Sequence, residues 1–532
     1  MDPFGLIQQW FSGYPAGWER LLSMIGIEVH WFILQYVLGL SFLAVVTEAI
    51  WLRTRNDDWK RLSRTLAKAF VAVFAVGAAT GTASEFGLVL LWPNLTEAAG
   101  RYIYFPLYME IFAFLMEGIF IYMYFYAEDK VSPRTHLIIG ILAFVGAWYS
   151  GAMILSVNSF MQAPVNVIAH YDPLAGPSSW APPDVLLFVP AQIAQALDVN
   201  KLAAVGAKVI SATPEQVTVT LPSGLVRVLM REAFAGKTIG ESTLAAVIKP
   251  EALQSLSSVP LKTVIDAIVA NTVKNAGIFM ITFLSKGYLA TYIHALGAAL
   301  TVSAFTLLGG YALRLLRTSK DDRDRRYFLR AMKFAAVVAL ILIAIQGTGS
   351  GHAMGAAVAK YNPEKFAAME ATTTQITSLP SMLGMKQLVE QFMPLLAYGD
   401  PNAKLPSYDV IAAEYRPPLI IHYLYYTKIG LGVLLGLIGL LAVFYAFRKE
   451  EWPSWVLWIA VISPAIAQIT SFLGWGVREM GRKPWAIYGI MDVQTELTIN
   501  PPPAWHLMGV ALYLSLILVV LVLAVYWFLW RR

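Results

Sequence analysis

The chain has 532 residues, of which 57% are hydrophobic and only 14% are charged. Soluble domains carry roughly 25% charged residues, so this composition excludes an ordinary soluble protein and indicates a membrane protein. The net charge of +6 does not indicate nucleic-acid binding, because Lys and Arg lie between apolar segments. The chain has no cysteine, which excludes disulfides, Cys-held iron–sulfur clusters and thiolate-ligated or Cys-attached haem.

Nine apolar segments are long enough to span a bilayer, which takes about 20 residues each. They lie at 28–52, 64–92, 103–127, 136–157, 280–314, 328–349, 419–447, 454–477 and 503–530. Basic residues cluster in alternate connections, so the positive-inside rule predicts that the N-terminus is outside and the C-terminus inside. The residues before the first span mix aromatic and charged side chains without a cleavage-site pattern, which favours an interfacial helix over a signal peptide.

Two long segments, 158–279 and 350–418, are expected outside the membrane. In the first, the residues around Pro-Ser-Gly at 216–230 alternate as in a β-hairpin. The sequence therefore predicts an all-α integral membrane protein with a small extramembrane α+β insertion. The predicted units are spans one to four with the interfacial segment (1–164), the insertion (165–275), spans five and six (276–349), a second outer segment (350–418) and spans seven to nine (419–532).

Two histidines lie in predicted spans. His30 is at the outer end of the first span, where a histidine is either an interfacial residue or a metal ligand. His294 is inside the fifth span and precedes small residues that leave room for a flat macrocycle. It is either a core histidine or a haem ligand, and the residues alone leave both alternatives open.

Three carboxylates stand out in or beside the spans. Glu110 and Glu117 lie seven residues apart on the third span, close to two helical turns, so they face one side. They either pair with a basic residue elsewhere or serve a proton path or a haem, and the cost of burying them favours function. Glu479 is crowded by Arg478 and Arg482. That cluster is either a surface salt-bridge network or a carboxylate ligand whose basic neighbours hold haem propionates.

Several motifs resemble, in order, those of subunit I of the cytochrome bd quinol oxidases. GWGVREMGRKPWAIYG, which contains Glu479, is similar to the family's G-W-x-x-x-E-x-G-R-Q-P-W segment. GTASEFG in the second span resembles ATG-x-x-x-EF, and NSFMQAP after the fourth resembles N-G-W-M-Q-x-P. PEKFAAME resembles the K-x-A-A-x-E of the quinol-binding loop. The similarity covers most of residues 20–165 and 280–500.

The resemblance implies a role for each candidate residue. His30 corresponds to the axial ligand of one high-spin haem, Glu479 to that of the other, and His294 to a ligand of the low-spin haem b. Glu110 and Glu117 correspond to carboxylates that deliver protons to the high-spin pair or contact it. The remaining correspondences are Trp475 as the aromatic residue beside the haems, Arg482 as a basic neighbour of the cofactor, and Lys365 and Glu370 as the residues that handle the quinol. The implied cofactors are two haems b and a haem d or a further haem b.

The chain departs from the family in the seventh span. Alignment places Tyr426 at the family's Arg and Lys428 at its Met, which is the second ligand of the low-spin haem. That haem is then ligated by His and Lys, five-coordinate, ligated by another residue such as His422, or absent. Lys483 also replaces the Gln of the family signature, and the segment 165–270 has no counterpart in common members. These departures bear mainly on the electron donor.

The predicted function is that of a haem-binding subunit of a bd-type terminal oxidase in a prokaryotic cytoplasmic membrane. It oxidises quinol at the outer face, reduces O₂ to water and builds a proton-motive force. The resemblance implies a homologous subunit-II-like partner, small single-span subunits and lipid, with no nucleic acid. Two alternatives are a bd-like oxidase or reductase fed by a periplasmic cytochrome c or a partner subunit, and a haem-poor structural or proton-conducting subunit of a larger respiratory complex.

Overall fold

The computed structural model contains eight helices long and apolar enough to cross a membrane, counted within the described residues. It describes residues 17–277, 281–319, 323–448 and 452–495, together with Leu512, Ser515 and Leu518. The membrane helices are α1 (Gly17–Thr54), α2 (Asp57–Leu91), α3 (Pro93–Tyr126), α4 (Pro133–Gln162), α5 (Tyr288–Arg317), α6 (Arg325–Tyr361), α7 (Ile420–Arg448) and α8 (Ser454–Met480). The predicted interfacial segment and ninth span lie outside the described residues, and the orientation stays a prediction.

Helix α5 lies at the centre of the bundle, where it contacts α1, α6 and α8. Glycines allow two of these close approaches. A Cβ atom at Gly39 of α1 would lie 2.0 Å from the hydroxyl of Ser303, and one at Gly309 of α5 would lie 2.6 Å from Pro464 of α8. Small residues that let helix backbones approach are the usual basis of packing in membranes. They hold α5, which carries His294, against its neighbours.

The sixth span is longer than the sequence predicts. Its α-helix passes at Ala344 into a π-helical turn, Ile345–Ser350, and continues as α-helix from Gly351 to Tyr361. The predicted end at 349 is therefore wrong, because the Gly- and Ser-containing stretch that follows keeps its helical hydrogen bonds through the wider turn. The fifth helix begins at Tyr288 rather than at the predicted 280.

The insertion contains an antiparallel four-stranded sheet in the order β1-β2-β4-β3, which confirms the predicted α+β insertion. Its strands are β1 (Val167–His170), β2 (Ala181–Pro190), β3 (Lys208–Ala212) and β4 (Gln216–Pro222). Its helices are Ala191–Ala194, Val199–Ala204, Ser223–Phe234, Pro250–Leu256 and Leu261–Ala276, with 3₁₀ turns at Pro177–Ser179, Ile239–Glu241 and Thr243–Val247. The predicted hairpin is wrong, because β4 is followed by a helix and pairs with β2 and β3.

The other outer segments share a hydrophobic core with the insertion. Val185 of β2, Phe366 of the loop after α6 and Trp485 after α8 belong to one buried cluster. The loop after α6 contains the helices Pro363–Glu370, Leu379–Met382 and Lys386–Tyr398 and a 3₁₀ turn, Ala413–Tyr415, and the chain after α8 forms β5 (Trp485–Ile487) and β6 (Met491–Asp492). This shared core fixes the helix Pro363–Glu370 over the end of α8.

Candidate functional site

A buried charge network lies where α8 ends. The guanidinium of Arg478 donates to Asn158 of α4 and, at 3.2 Å, to Thr291 of α5. Glu479 accepts a hydrogen bond of 2.8 Å from Asn158 and pairs at 3.0 Å with Arg482. The predicted salt-bridge network is present, and each carboxylate oxygen keeps a further lone pair that can bind a metal. Helices α4, α5 and α8 thus meet around one carboxylate.

Lys365 joins this network from the outer loop. Its ammonium donates at 3.1 Å to the side chain of Gln162 and at 3.1 Å to the backbone carbonyl of Arg478. Burial, together with the positive charge of Arg478, holds the pKa of Lys365 well below the ordinary lysine value. A lysine in this position therefore gives up its proton more readily than one in water.

The imidazole of His30 is hydrogen-bonded to a hydroxyl of α2. Its Nδ1 lies 3.1 Å from Oγ1 of Thr80. The Thr80 hydroxyl donates its own hydrogen to a helical carbonyl, either Val76 or Gly77 at 3.1 Å. A hydroxyl that donates in this way accepts from His30, and that arrangement places the proton on Nδ1 and leaves the Nε2 lone pair available to a metal.

His294 is held in the same way by the π-helical turn of α6. Its Nδ1 lies 3.2 Å from the hydroxyl of Ser350, and that hydroxyl donates to the side-chain oxygen of Gln346. Gln346 in turn donates at 2.9 Å to the backbone carbonyl of His294. Ser350 must accept from Nδ1, so Nε2 of His294 is again the nitrogen with a free lone pair. The π turn, which the sequence does not predict, supplies both partners.

His422 uses both ring nitrogens for other contacts. Nδ1 lies 2.7 Å from the carbonyl oxygen of Met369, and Nε2 accepts the backbone N–H of Leu379 at 2.7 Å. The side chain is fully buried. Because its only lone pair is already hydrogen-bonded, His422 fixes the outer loop on α7 and does not suit the axial ligation considered from the sequence.

Lys428 and Trp475 lie on the side of this region formed by α7 and α8. The Nζ of Lys428 lies 5.7 Å from the ring centre of Tyr425. Lys428 is close enough to His294 for their charges to interact. Trp475 stacks on Trp31 of α1 with ring centres 5.1 Å apart. The stack joins the neighbourhoods of His30, which directly precedes Trp31, and of Glu479, which follows Trp475 by one helical turn.

The predicted carboxylates of α3 form no ion pair with a basic residue in the part of the chain that the structure describes. Glu110 accepts a hydrogen bond of 2.9 Å from Ser150. Glu117 is buried, and its Oε1 has no hydrogen-bond partner among the residues that the structure describes. Glu85 of α2, which the sequence analysis did not single out, lies within hydrogen-bonding reach of Glu110. It is one turn beyond Gly81, whose Cβ would touch His30 at 3.0 Å.

Glu28 is the second functional candidate that sequence reasoning missed. It lies close enough to Glu479 for their charges to interact, and its Oε2 is buried without a hydrogen-bond partner in the described part of the chain. Glu28 and Glu85 share one signal, a carboxylate within an apolar helix, which is rare enough to indicate function. Both stand beside residues that the motifs had already selected.

Glu370 is held by α7 at the position where the family carries Arg. The hydroxyl of Tyr426 donates to Oε2 of Glu370 at 2.6 Å. The other oxygen is buried and has no hydrogen-bond partner among the described residues. Burial raises the pKa of Glu370 to about 7, and the Tyr426 hydrogen bond partly opposes that rise. Glu370 can therefore exchange a proton near neutral pH.

The comparisons with known proteins agree with this geometry. A model of the family described as cytochrome bd terminal oxidase subunit I matches residues 18–208 and 264–532. The chain belongs to this family. The gap between the two matched parts, 209–263, falls inside the insertion. Membership confirms the resemblance found in the motifs, and together with the apolar helices it makes this bd oxidase subunit I homologue a multi-pass protein of the prokaryotic cytoplasmic membrane.

Similarity to individual relatives is low in identity but long in coverage. The chain is 22% identical over 511 residues to a Bacillus subtilis (strain 168) protein named cytochrome bd menaquinol oxidase subunit I, covering 94% of this chain and 90% of the relative. It is 30% identical over 156 residues to the Escherichia coli (strain K12) cytochrome bd-II ubiquinol oxidase subunit 1, covering 29% of each. The bd oxidase structure from Geobacillus thermodenitrificans has the same fold, with 22% identity, a TM-score of 0.66 and 97% coverage of both chains.

The residues of this bd oxidase subunit I homologue fit the haems that its family normally binds. Among the described residues, no three metal-ligating side chains converge as a bare metal ion requires. A haem iron needs only one or two protein ligands, which the free Nε2 atoms of His30 and His294 and the carboxylate of Glu479 can supply. Nε of Arg482 and Nε1 of Trp475 are buried donors without a partner in the described residues, as groups facing a propionate would be.

We predict that His422→Phe loosens the outer loop and leaves haem content unchanged. The substitution leaves the buried N–H of Leu379 and the carbonyl of Met369 unpaired, which costs about 1–3 kcal/mol for each group. Hydrogen exchange over residues 366–383 should accelerate, while absorption spectra of the purified protein stay the same. Tyr423→Phe, at the next position, is the control and should change neither. Loss of a haem band in His422→Phe would instead identify His422 as an iron ligand.

Proposed function

We propose that the chain is the haem-carrying subunit of a bd-type terminal oxidase that oxidises quinol and reduces O₂ to water. The observation that carries the proposal is the pairing of two half-buried histidines, each bonded through Nδ1 to a hydroxyl, with the carboxylate of Glu479 in one connected region. The haem irons, once bound, supply the electron transfer and the O₂ binding that amino-acid side chains lack. A homologous subunit-II-like protein is the expected partner.

In this proposal, His30 and Glu479 each ligate one haem of the O₂-reducing pair, and His294 ligates the low-spin haem b. Arg478 and Arg482 hold Glu479 as a carboxylate, because they offset the cost of burying its charge. Lys428 is the candidate for the second ligand of the low-spin haem, since it replaces the family's Met and lies near His294. It must lose its proton to bind iron.

The donor side of the proposal rests on Glu370 and Lys365. A quinol gives up two protons as it gives up two electrons, so its site needs proton acceptors at the outer face. Glu370 has a free buried oxygen and a pKa of about 7, which suits a base working near neutral pH. Lys365 has a lowered pKa and lies between this helix and Arg478. Both belong to the same short helix, Pro363–Glu370.

The acceptor side of the proposal rests on Glu110 and Glu117. Reduction of O₂ adds electrons in a low-dielectric interior, and each added charge is costly unless a proton accompanies it. Glu110 contacts Glu85 and Ser150 close to the helix position that faces His30. We assign Glu117 to the relay that brings protons to Glu110, because it lies on the same face of α3 without a neutralising partner.

The proposal is tested by oxygen consumption of the purified complex with quinol, together with haem stoichiometry and reduced-minus-oxidised spectra. We expect quinol-dependent O₂ uptake and three haems, one of them low-spin. O₂ uptake with reduced cytochrome c but not with quinol would show that the electron donor is cytochrome c and not quinol. Absence of both haem and O₂ uptake would instead support the alternative of a haem-poor structural or proton-conducting subunit.

We predict that Thr80→Val lowers retention of one high-spin haem. Valine cannot accept from Nδ1 of His30, so the ring loses the contact that keeps Nε2 free. Loss of such a partner of a ligand typically costs about 10–100-fold in affinity. Haem titration of purified variants measures the effect. Thr82→Val is the matched control, because Thr82 is exposed on the same helix and bonds only to the carbonyl of Ala78. Equal haem retention in both variants would remove His30 from the ligand set.

We predict that quinol oxidation depends on the ionisation of Glu370. The carboxylate form accepts the proton, so turnover should rise with pH through about 7, and Glu370→Gln should lose this rising limb. Tyr426→Phe removes the hydrogen bond that lowers the pKa of Glu370, so its rising limb should move to higher pH. Steady-state rates between about pH 6 and 8 with saturating quinol measure both effects. A rising limb that persists in Glu370→Gln would assign the base to another group.

A further inference from the structure

A second buried polar cluster lies at the other end of the bundle from Glu479. Glu48 of α1 is 18 positions beyond His30, which corresponds to about 27 Å along the helix. It accepts a hydrogen bond of 2.6 Å from the hydroxyl of Tyr124, and its other oxygen lies 2.7 Å from Nδ1 of His136. All three side chains are largely buried. The cluster joins α1, α3 and α4 near the basic ends that the positive-inside rule places in the cytoplasm.

The geometry requires this cluster to hold a shared proton. Nε2 of His136 lies 2.8 Å from the backbone carbonyl of Tyr124 and must donate to it. Nδ1 therefore either carries a second proton, donated to a Glu48 carboxylate, or is a lone pair that accepts the proton of a Glu48 carboxylic acid. Either way one proton lies between His136 and Glu48. If this proton leaves, the lone pairs of Nδ1 and of the Glu48 carboxylate oxygen face each other. Their repulsion favours uptake of a new proton.

A cavity connects this cluster with the aqueous phase. It has a volume of about 60 Å³, and Glu48, Tyr124 and His136 line it. That volume holds a few water molecules between polar side chains. Asp129, which also lines the cavity, has a side chain that is 68% exposed. Its other charged lining residues are Lys60, Arg64, Lys68 and Glu128, of which Lys60 and Arg64 pair with Asp129 at 3.3 Å and 2.7 Å.

The cluster is aligned with the carboxylates of α3. Glu110, Glu117 and Tyr124 follow one another at intervals of seven residues, so all three lie on one face of the helix. Each interval is about 10 Å along the helix, so a transfer between neighbouring members of this row needs water molecules between them. Two glycines of α4 leave room for this face of α3. A Cβ atom at Gly140 would lie 2.6 Å from the ring of Tyr124, and one at Gly146 would lie 3.0 Å from the backbone of Glu117.

We propose that Glu48, Tyr124 and His136 form the proton-uptake site for O₂ reduction, filled from this cavity and emptied along α3 through Glu117 to Glu110. The inference rests on the proposed function, since reduction of one O₂ by four electrons to two water molecules consumes four protons. Each proton enters as a hydrated proton in the cavity and replaces the one that left the Glu48–His136 pair. The side chains regain their starting protonation state, so the balance needs no further reactant.

The test uses the purified complex in lipid vesicles with the variants Glu48→Gln and Tyr124→Phe. Glu48→Gln keeps the shape but removes the exchangeable carboxyl proton, and Tyr124→Phe removes one hydroxyl. We expect Glu48→Gln to slow O₂ reduction at least about tenfold and to increase the solvent deuterium isotope effect. The smaller change in Tyr124→Phe should slow it less. Haem spectra, and anaerobic reduction of the haems by quinol, should match those of the wild type in both variants.

Glu251→Gln, an exposed carboxyl in the insertion, is the control and should behave as wild type throughout. Wild-type O₂ reduction in both Glu48→Gln and Tyr124→Phe would overturn the uptake site while leaving the proposed function intact. Equal slowing of anaerobic haem reduction and of O₂ reduction, with altered spectra, would show that the cluster is only a structural clamp. A wild-type complex that holds haem but does not reduce O₂ would overturn the proposed function and this inference with it.

Discussion

Burial of the Glu479 carboxylate at the end of α8 constrains the arrangement of everything around it. A charge taken out of water costs several kcal/mol unless partners surround it. Those partners are Asn158 of α4 and Arg478 and Arg482 near the end of α8, and Lys365 then bonds the backbone of Arg478 from the outer loop. Because separation of these partners would leave a buried charge unpaired, three membrane helices and the loop are held together as one unit. Movement of any one of them exposes a charge to an apolar environment.

The two candidate histidine ligands have the same kind of hydrogen-bond partner. In each case a hydroxyl that has already donated its hydrogen can only accept, so it fixes which ring nitrogen carries the proton. Thr80 does this from a regular helix, whereas Ser350 does it from a π-helical turn that brings Gln346 to the same place. His422 shows the opposite outcome, since backbone groups occupy both nitrogens. Burial does not identify the candidate ligands, since His422 is fully buried and the other two are only partly buried, but their hydrogen-bond partners do.

The sequence predicted the membrane helices well, because apolar length carries that information locally. Short motifs selected the main candidate residues, whose roles stay predictions. It did not predict Thr80 or Ser350 as partners, since each lies more than 45 positions from its histidine and no spacing rule connects them. The hairpin prediction failed for a different reason. Val226, Leu229, Met230 and Ala233 recur at i, i+3, i+4 and i+7, which is the repeat of a helix and not of a strand, and the hairpin prediction overlooked it.

The two ends of the bundle carry complementary chemistry, and α3 connects them. Quinol protons are proposed to leave near Glu370 at one end, while the protons for O₂ are proposed to enter near Glu48 at the other. In this proposal the electrons and these protons approach the same region from opposite sides, so turnover would separate charge across the membrane without a pump. That separation requires the proton path of α3 to stay isolated from the outer face. The hydrogen-bonded charges around Glu479 suit such a barrier, since a stray proton there would break bonds that hold three helices together.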